Sequence, residues 1–244
     1  GKYPDQISEK EAKRVGKAYG TFIGDERVLV ARDGRTHAEK ITEAFIEGII
    51  STGSDVTNIG MVPSPVLYFA VDKMGYSHGA VVTASHNPQE YTGFKFCLEG
   101  GLAMSRENGM KEIEEIYDSG EFDDGKGELT EKNVKEDYIT SVGEIFEIDI
   151  EVAVNYGNGV TAEIAPRVLG EIGCQVKNIN ERIDGEFPNH LPDPTNEKAQ
   201  EALKSCMSDE DLGIVFDGDG DRAGFIFEGE YISEDEVLAL FSQR

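Results

Sequence analysis

Three observations predict an α/β protein built as two consecutive three-layer α/β domains with mostly parallel mixed sheets. Apolar runs of strand length alternate with amphipathic helical stretches along the whole chain. The alternation pauses near residue 147 and then restarts on a similar plan. Turn-rich, charged motifs directly follow several of the apolar runs, where an open α/β sheet carries its chemistry. The expected domains are 1–146 and 147–244.

The elements follow in order. Ser8 to Glu11 has the pattern of a capping box and opens a helix reaching about Tyr19. Residues 27–31 read as a buried strand. Thr36 to Glu39 is a second capping-box pattern, and the helix after it sets Ile41, Ala44, Phe45, Gly48 and Ile49 on one face before stopping at Gly53. Residues 56–59 are a short strand. Pro63 and Pro65 suit the first turn of a helix running to about Lys73. Strands are predicted at 79–83 and 93–98, and helices at 105–118 and 131–146. In the second half the order is strand 150–155, helix 160–172, strand 175–179, a Pro- and Asn-rich loop over 180–195, helix 196–206, and strands 213–216 and 223–227. Ser233 to Glu236 is a third capping-box pattern, opening a helix that runs to the end.

Composition narrows the function classes. The 244 residues are 39% hydrophobic, enough for packed cores, and no apolar run approaches the length needed to span a bilayer. No basic segment followed by an apolar stretch opens the chain, so no secretory signal is read. Three widely spaced cysteines, Cys97, Cys174 and Cys206, form no CxxC pair and suggest reduced thiols in a cytoplasmic protein. Lys and Arg number 23 against 48 Asp and Glu, a net charge of −25. Such a surface repels nucleic acid and anionic membranes, so neither is an expected partner. It also repels sugar phosphates at long range, so a phosphate site here needs local Lys, Arg or metal. A salt-rich, halophilic cytoplasm would screen the coat; equal stability in dilute and molar KCl would count against that habitat.

Two motifs carry the chemistry. In Val81-Val82-Thr83-Ala84-Ser85-His86-Asn87-Pro88 a buried strand ends in a turn that exposes a serine beside a histidine. Ser, Asn and Pro also favour turns for purely local reasons. A serine nucleophile needs a base or a charge-stabilising partner. In Phe216-Asp217-Gly218-Asp219-Gly220-Asp221-Arg222 three carboxylates alternate with two glycines after another apolar strand. Glycine lets the backbone turn tightly enough for Asp217, Asp219 and Asp221 to converge. Converged carboxylates repel one another without a cation, and an all-oxygen donor set suits Mg²⁺ or Ca²⁺. An EF-hand loop is the competing reading, with Glu228 at its twelfth position. Its sixth position should be Gly and is Arg222, and strands rather than helices are predicted on both sides.

Arg222 adjoins this loop and could hold a phosphate oxygen. Lys95 lies on the strand after the serine turn, where a surface lysine is the plain alternative. Asn155-Tyr156-Gly157-Asn158-Gly159 joins a strand to a helix with glycines that could expose backbone N–H groups. Ala31-Arg32-Asp33-Gly34-Arg35 is a further strand end bearing two arginines.

Together these segments resemble the α-D-phosphohexomutase superfamily, in its phosphomannomutase/phosphoglucomutase branch. The similarity lies in residues 83–88 with 91–96 (a phosphoserine loop and its following strand), 217–222 (a metal loop), 155–160, 187–194 and 60–66, in family order along nearly the whole chain. The chain departs from the pattern at Asn155, where the family has Asp, and at Thr36-His37-Ala38, where it has Ser-Gly.

The resemblance implies interconversion of hexose 1- and 6-phosphates, mannose or glucose being the expected sugar. Ser85 would carry the phosphoryl group, and a hexose 1,6-bisphosphate would serve as intermediate and activator. It further implies Mg²⁺ on Asp217, Asp219, Asp221 and the Ser85 phosphate. His86 and Lys95 would assist catalysis; Arg222, Arg35 and Asn87 would hold phosphate. The chain has about half the family's four-domain length, so little turnover by itself is expected. The expected partners are hexose phosphates and a C-terminal half chain or a second copy. The rival reading is a non-catalytic module that binds metal and phosphate only.

Overall fold

A computed structural model describes residues 1–145 and 147–242, in two compact units. The first comprises Gly1–Ala84 and Glu90–Tyr138; the second comprises Ser85–Gln89 and Ile139–Arg244. Each is an α/β unit around its own mixed sheet, as the alternating pattern predicts.

The first sheet contains β1 (Val28–Arg32), β2 (Val56–Met61), β3 (His78–Val82), β4 (Phe94–Leu98), β5 (Leu102–Ala103) and β6 (Leu129–Glu131), in the order β5-β4-β3-β1-β2-β6. β1 pairs parallel with β2 and β3, and β6 pairs parallel with β2, while β4 and β5 are antiparallel additions. β1 is an unbroken apolar run because both its faces are covered. Val28 and Val30 pack with α1 (Glu9–Ile23) and α2 (Ala38–Ile50). The alternate residues Leu29 and Ala31 are equally buried on the opposite face, where α3 (Ser64–Met74) lies against β1 and β3.

Glycines set how closely α1 and α2 approach. A Cβ on Gly48 would stand 2.2 Å from the Lys13 carbonyl oxygen, and one on Gly16 2.1 Å from that of Phe45. The unit is completed by α4 (Met110–Ser119) and by the start of α5 (Lys135–Gly143).

The second sheet contains β7 (Glu151–Asn155), β8 (Gln175–Ile179), β9 (Leu212–Phe216), β10 (Ala223–Phe227) and β11 (Glu230–Ile232), in the order β11-β10-β9-β7-β8. β7 pairs parallel with β8 and β9, and the β9–β10 and β10–β11 pairs are antiparallel. Helices α6 (Ala165–Glu171) and α7 (Glu197–Cys206) pack on the sheet, and α8 (Glu234–Ser242) follows β11.

Several predicted elements differ. The predicted 131–146 helix starts late: Glu131 is the last residue of β6, which satisfies the open edge of β2 and pairs Thr130 with Thr57 through their hydroxyls, 2.9 Å apart, and 132–134 are irregular. Only Lys135–Gly143 is helical, and the predicted end at 146 lies outside the described residues. Predicted helix 105–118 is broken at Gly109, whose φ of 144° separates a 3₁₀ turn from α4. Predicted helix 160–172 splits into a 3₁₀ turn, Val160–Glu163, and α6. The break is at Ile164, whose φ of −128° and ψ of −44° leave helical geometry, and Pro166 sits in the first turn of α6, where its missing N–H costs no intrahelical bond.

The Thr36 capping box does not form: α2 starts at Ala38 with His37 at its N-cap. His37 stacks on Tyr3 at 4.6 Å and sits 3.1 Å from the Tyr91 carbonyl through Nε2. Ser8 bonds the Glu11 carboxylate rather than a helix N–H. The Ser233 box forms with both reciprocal bonds, Ser233 N–H to Glu236 at 2.8 Å and Glu236 N–H to Ser233 Oγ at 3.3 Å. The predicted run of α8 to the end extends past Ser242, outside the described residues.

No helix among the described residues is long and apolar enough to cross a membrane. The three cysteines are free thiols, and burial pushes the Cys97 thiol up to about 12.

Candidate active site

The acidic motif is the loop of the β9–β10 hairpin. Phe216 pairs with Ala223, and the Asp217 N–H donates to the Arg222 carbonyl at 3.2 Å, closing the loop. Strands on both sides remove the EF-hand reading, which needs helices there.

Asp217 is fully buried, and its two oxygens are used differently. Oδ1 accepts the backbone N–H groups of Gly220 at 2.9 Å and Arg222 at 3.1 Å, which folds the loop over its own first side chain. Oδ2 faces the serine turn and accepts the Ser85 hydroxyl at 2.8 Å. Arg222 Nη2 donates to the same Ser85 oxygen at 3.1 Å, and its Nε lies 3.7 Å from Asp221 and 3.9 Å from Asp217.

Ser85 is buried and takes a φ of 52°, a left-handed conformation that costs a non-glycine residue roughly 1–3 kcal/mol and is held by its surroundings. Gly218 permits the approach. A Cβ there would stand 2.6 Å from the Ser85 carbonyl oxygen.

Asp217, Asp219 and Asp221 each offer an oxygen within 4.8 Å of the other two. Burial, and next the neighbouring Asp219 and Asp221 charges, push the Asp217 acid up to about 7, against the hydrogen bonds from Ser85 and Arg222. A divalent cation would relieve that repulsion. Three hard oxygen donors on one tight loop fit Mg²⁺ and leave further coordination positions for phosphate oxygen and water.

The remaining predicted residues are distributed as follows. His86 is half-buried beside Ser85, and its Nδ1 has no hydrogen-bond partner among the described residues. Asn87 is exposed in the same turn. Lys95 is half-buried on β4 opposite Val81, and Arg35 is buried in a local knot; both are described with the first unit. Arg35 Nε pairs with Asp33 at 3.1 Å and Nη1 donates to the Tyr91 carbonyl at 3.3 Å.

The sequence reading overlooked a knot of side chains under the acidic loop. Asn155, Asn158, Asn180, Asn189 and His190 tie the ends of β7 and β8 to the 180–195 loop. The Val160 N–H donates to the Gly218 carbonyl at 3.1 Å. The signal available was the length of that loop, because long loops without secondary structure are usually functional.

Comparison with known proteins identifies the family to which the two units belong. The family model for phosphoglucomutase/phosphomannomutase α/β/α domain I matches residues 1–124, and that for domain II matches 134–230. A probable phosphoglucosamine mutase of Methanopyrus kandleri is 36% identical, over 100% of this chain and 56% of its own length. A phosphoglucomutase/phosphomannomutase of Thermococcus kodakarensis is 35% identical, over 97% and 55%. The crystal structure of a phosphoglucomutase/phosphomannomutase family protein from Burkholderia thailandensis superposes with a TM-score of 0.89 at 32% identity, covering 100% of this chain and 56% of that one. The chain thus spans about half the length of the curated relatives it matches. Two adjacent domain matches and relatives above 30% identity across the chain lead to one conclusion: it belongs to the phosphoglucomutase/phosphomannomutase family of the α-D-phosphohexomutase superfamily, whose domains I and II it carries.

Proposed function

We propose that this chain carries the phosphoryl-transfer centre of a phosphohexomutase that interconverts hexose 1- and 6-phosphates, with Ser85 as the phosphoryl carrier. The observation that carries the reading is the Ser85 hydroxyl held 2.8 Å from Asp217 and 3.1 Å from the Arg222 guanidinium, beside three convergent carboxylates.

In this reading phosphorylated Ser85 gives its phosphoryl group to the free hydroxyl of a hexose monophosphate. The serine P–O bond breaks as the sugar P–O bond forms, and the sugar hydroxyl proton passes to a base. Arg222 steadies the departing Ser85 oxygen, and its planar fork suits phosphate oxygens. The resulting 1,6-bisphosphate turns over and returns its other phosphoryl group to Ser85; the same compound, added in small amount, primes the unphosphorylated chain. Asp217, Asp219, Asp221 and the Ser85 phosphate would hold Mg²⁺, which when bound neutralises the charge that builds on the transferring phosphoryl group.

His86 and Lys95 are proposed for proton transfer and phosphate positioning, and Asn87 for phosphate contact. Arg35, buried and ion-paired with Asp33, is proposed for phosphate contact as well. Mannose or glucose is the proposed sugar, and the name of the Methanopyrus kandleri relative adds glucosamine as a third candidate. We further propose that groups orienting the sugar belong to polypeptide matching the remainder of the relatives, whether continuous with this chain or separate.

Incubation with glucose 1,6-bisphosphate and Mg²⁺, followed by intact-mass and peptide mass spectrometry, tests the reading. One phosphate on Ser85, absent from Ser85→Ala, is expected. No phosphate, or phosphate elsewhere, would remove Ser85 from its role.

A second reading, a metal- and phosphate-binding module that acts only with a partner chain, is favoured by the exposed apolar side chains Leu238, Leu240 and Phe241 on α8. Restored mutase turnover on mixing with the complementary half polypeptide of a relative would support it; unchanged turnover would not.

A further inference from the structure

The knot beneath the acidic loop has no part in the chemistry above. We propose that His190 and Pro192 are positioning residues that set the seating of Gly218, hence the spacing of Asp217 and Asp219, and thereby tune divalent-cation affinity. This rests on reading the acidic loop as a cation site.

The argument starts at His190, which is 7% exposed. The Asn155 amide orientation is fixed by its partners. Its Oδ1 accepts the Gly157 N–H at 3.0 Å and Asn180 Nδ2 at 2.9 Å, and its Nδ2 donates to the Ala199 carbonyl at 3.0 Å. That same Nδ2 stands 3.0 Å from His190 Nε2, and Asn180 Nδ2 stands 3.3 Å from it. Facing two amide donors, Nε2 must accept. The ring proton is therefore on Nδ1, which donates to the Leu191 carbonyl at 2.8 Å. One imidazole thus clamps the long loop to the ends of both β7 and β8.

Pro192, the residue after that carbonyl, is the wedge. Its ring carbons lie 3.2 and 3.5 Å from where a Cβ of Gly218 would stand, and its Cα lies 3.3 Å from the corresponding point on Gly157. Gly218 is held from another direction by the Val160 N–H on its carbonyl, with Gly159 close by. Gly218 joins Asp217 to Asp219, so movement at the glycine shifts both carboxylates. Groups that orient ligand side chains typically change metal affinity 10–100-fold when lost.

The test uses the whole 244-residue chain. Mn²⁺ affinity is measured by calorimetry, and amide hydrogen exchange at Gly220 and Arg222 is measured without metal. Asp219→Asn serves as the reference for a lost ligand.

His190→Ala is expected to weaken Mn²⁺ binding roughly 10–100-fold and to speed exchange at both amides. His190→Gln, whose Oε1 still accepts from Asn155 and Asn180, restores most of both. Pro192→Ala, which keeps the hydrogen bonds, gives a smaller loss in the same direction and carries the test should His190→Ala not fold. A long-range proton–nitrogen spectrum shows His190 protonated at Nδ1.

Wild-type affinity and exchange in folded His190→Ala and Pro192→Ala would overturn the proposal. So would equal losses in His190→Ala and His190→Gln, which mean general damage, or a proton on Nε2. If wild-type protein binds no Mn²⁺, the cation-site reading fails, and the affinity claim with it. Unchanged affinity in the positioning variants, with Asp219→Asn impaired, overturns the positioning claim alone.

Discussion

Asp217→Asn is expected to stabilise the metal-free protein near pH 8 and at the same time to weaken Mg²⁺ binding by roughly 100-fold or more, because ligand charge sets affinity at oxygen sites. The two effects share one cause. The Asp217 acid is at 3.8 in its reference state and about 7 in the fold, raised first by burial and then by Asp219 and Asp221. Below about pH 3.8 both states are protonated and the group contributes nothing. Between 3.8 and 7 the folded form keeps a proton that the unfolded form has lost, so stability falls by about 1.4 kcal/mol per pH unit. Above 7 the full penalty is present, about 4 kcal/mol at most.

Asparagine has no charge to lose, and its amide still offers an oxygen to Gly220 and Arg222. Urea unfolding of both proteins from pH 4 to pH 8, without metal, measures the difference. The wild-type decline should exceed that of the variant, which isolates Asp217 from the repulsion of the whole acidic surface. Parallel pH profiles, or a variant that is less stable at pH 8, would contradict the assignment.

Gly218→Ala is the second large expectation. The new Cβ would meet the Ser85 carbonyl oxygen at 2.6 Å and Pro192 Cγ at 3.2 Å. A backbone atom and a proline ring cannot swing aside as a lysine tip can, so the serine turn and the acidic loop must separate. The Ser85–Asp217 hydrogen bond then lengthens. Misplacement by about 1 Å at a reacting centre costs on the order of 100-fold in rate, and overpacking of this kind costs about 1–3 kcal/mol.

The rate of Ser85 phosphorylation by glucose 1,6-bisphosphate is the measurement for this variant. Gly170→Ala is the control, since a Cβ there meets nothing within 4 Å, on a helix where alanine is the better residue. Equal phosphorylation rates in the two variants would show that the close approach at Gly218 has no bearing on Ser85.

The parts of the fold that were legible in the sequence are those in which local pattern and burial agree. β1, β3, β7 and β9 are apolar runs with buried centres, and α1, α2 and α7, which pack with them, are amphipathic helices. Among the edge strands, β5 and β6 are short and exposed, with Leu102 and Leu129 facing solvent, and β11 is only three residues long. Only the open edges of β4, β2 and β10 decide that those segments are strands, and that information is not local. Thr36 shows the converse: a favourable local cap is replaced by a start at Ala38, with His37 stacked on Tyr3.

The candidate site divides in the same way. Ser85, Asp217, Asp219, Asp221 and Arg222 were legible because chemistry-bearing residues cluster at the ends of apolar strands with glycines between the carboxylates. Their meeting joins residues 132 positions apart, and spacing alone does not encode it. His190 and Pro192 lie in the 187–194 segment that carries the resemblance and Asn180 in the loop before it, but nothing in their sequence context assigns any of them a role. Only the fold shows that they lie beneath the acidic loop.

The central claim is that one divalent ion is shared by the Ser85 phosphate and the three aspartates. Anomalous diffraction from crystals of the Ser85-phosphorylated chain grown with Mn²⁺ tests it most directly. The account predicts a single strong manganese peak bonded to an oxygen from each of Asp217, Asp219 and Asp221 and to one phosphate oxygen on Ser85. A peak bonded to other residues, or well-ordered phosphoserine and aspartates with no manganese between them, would contradict it.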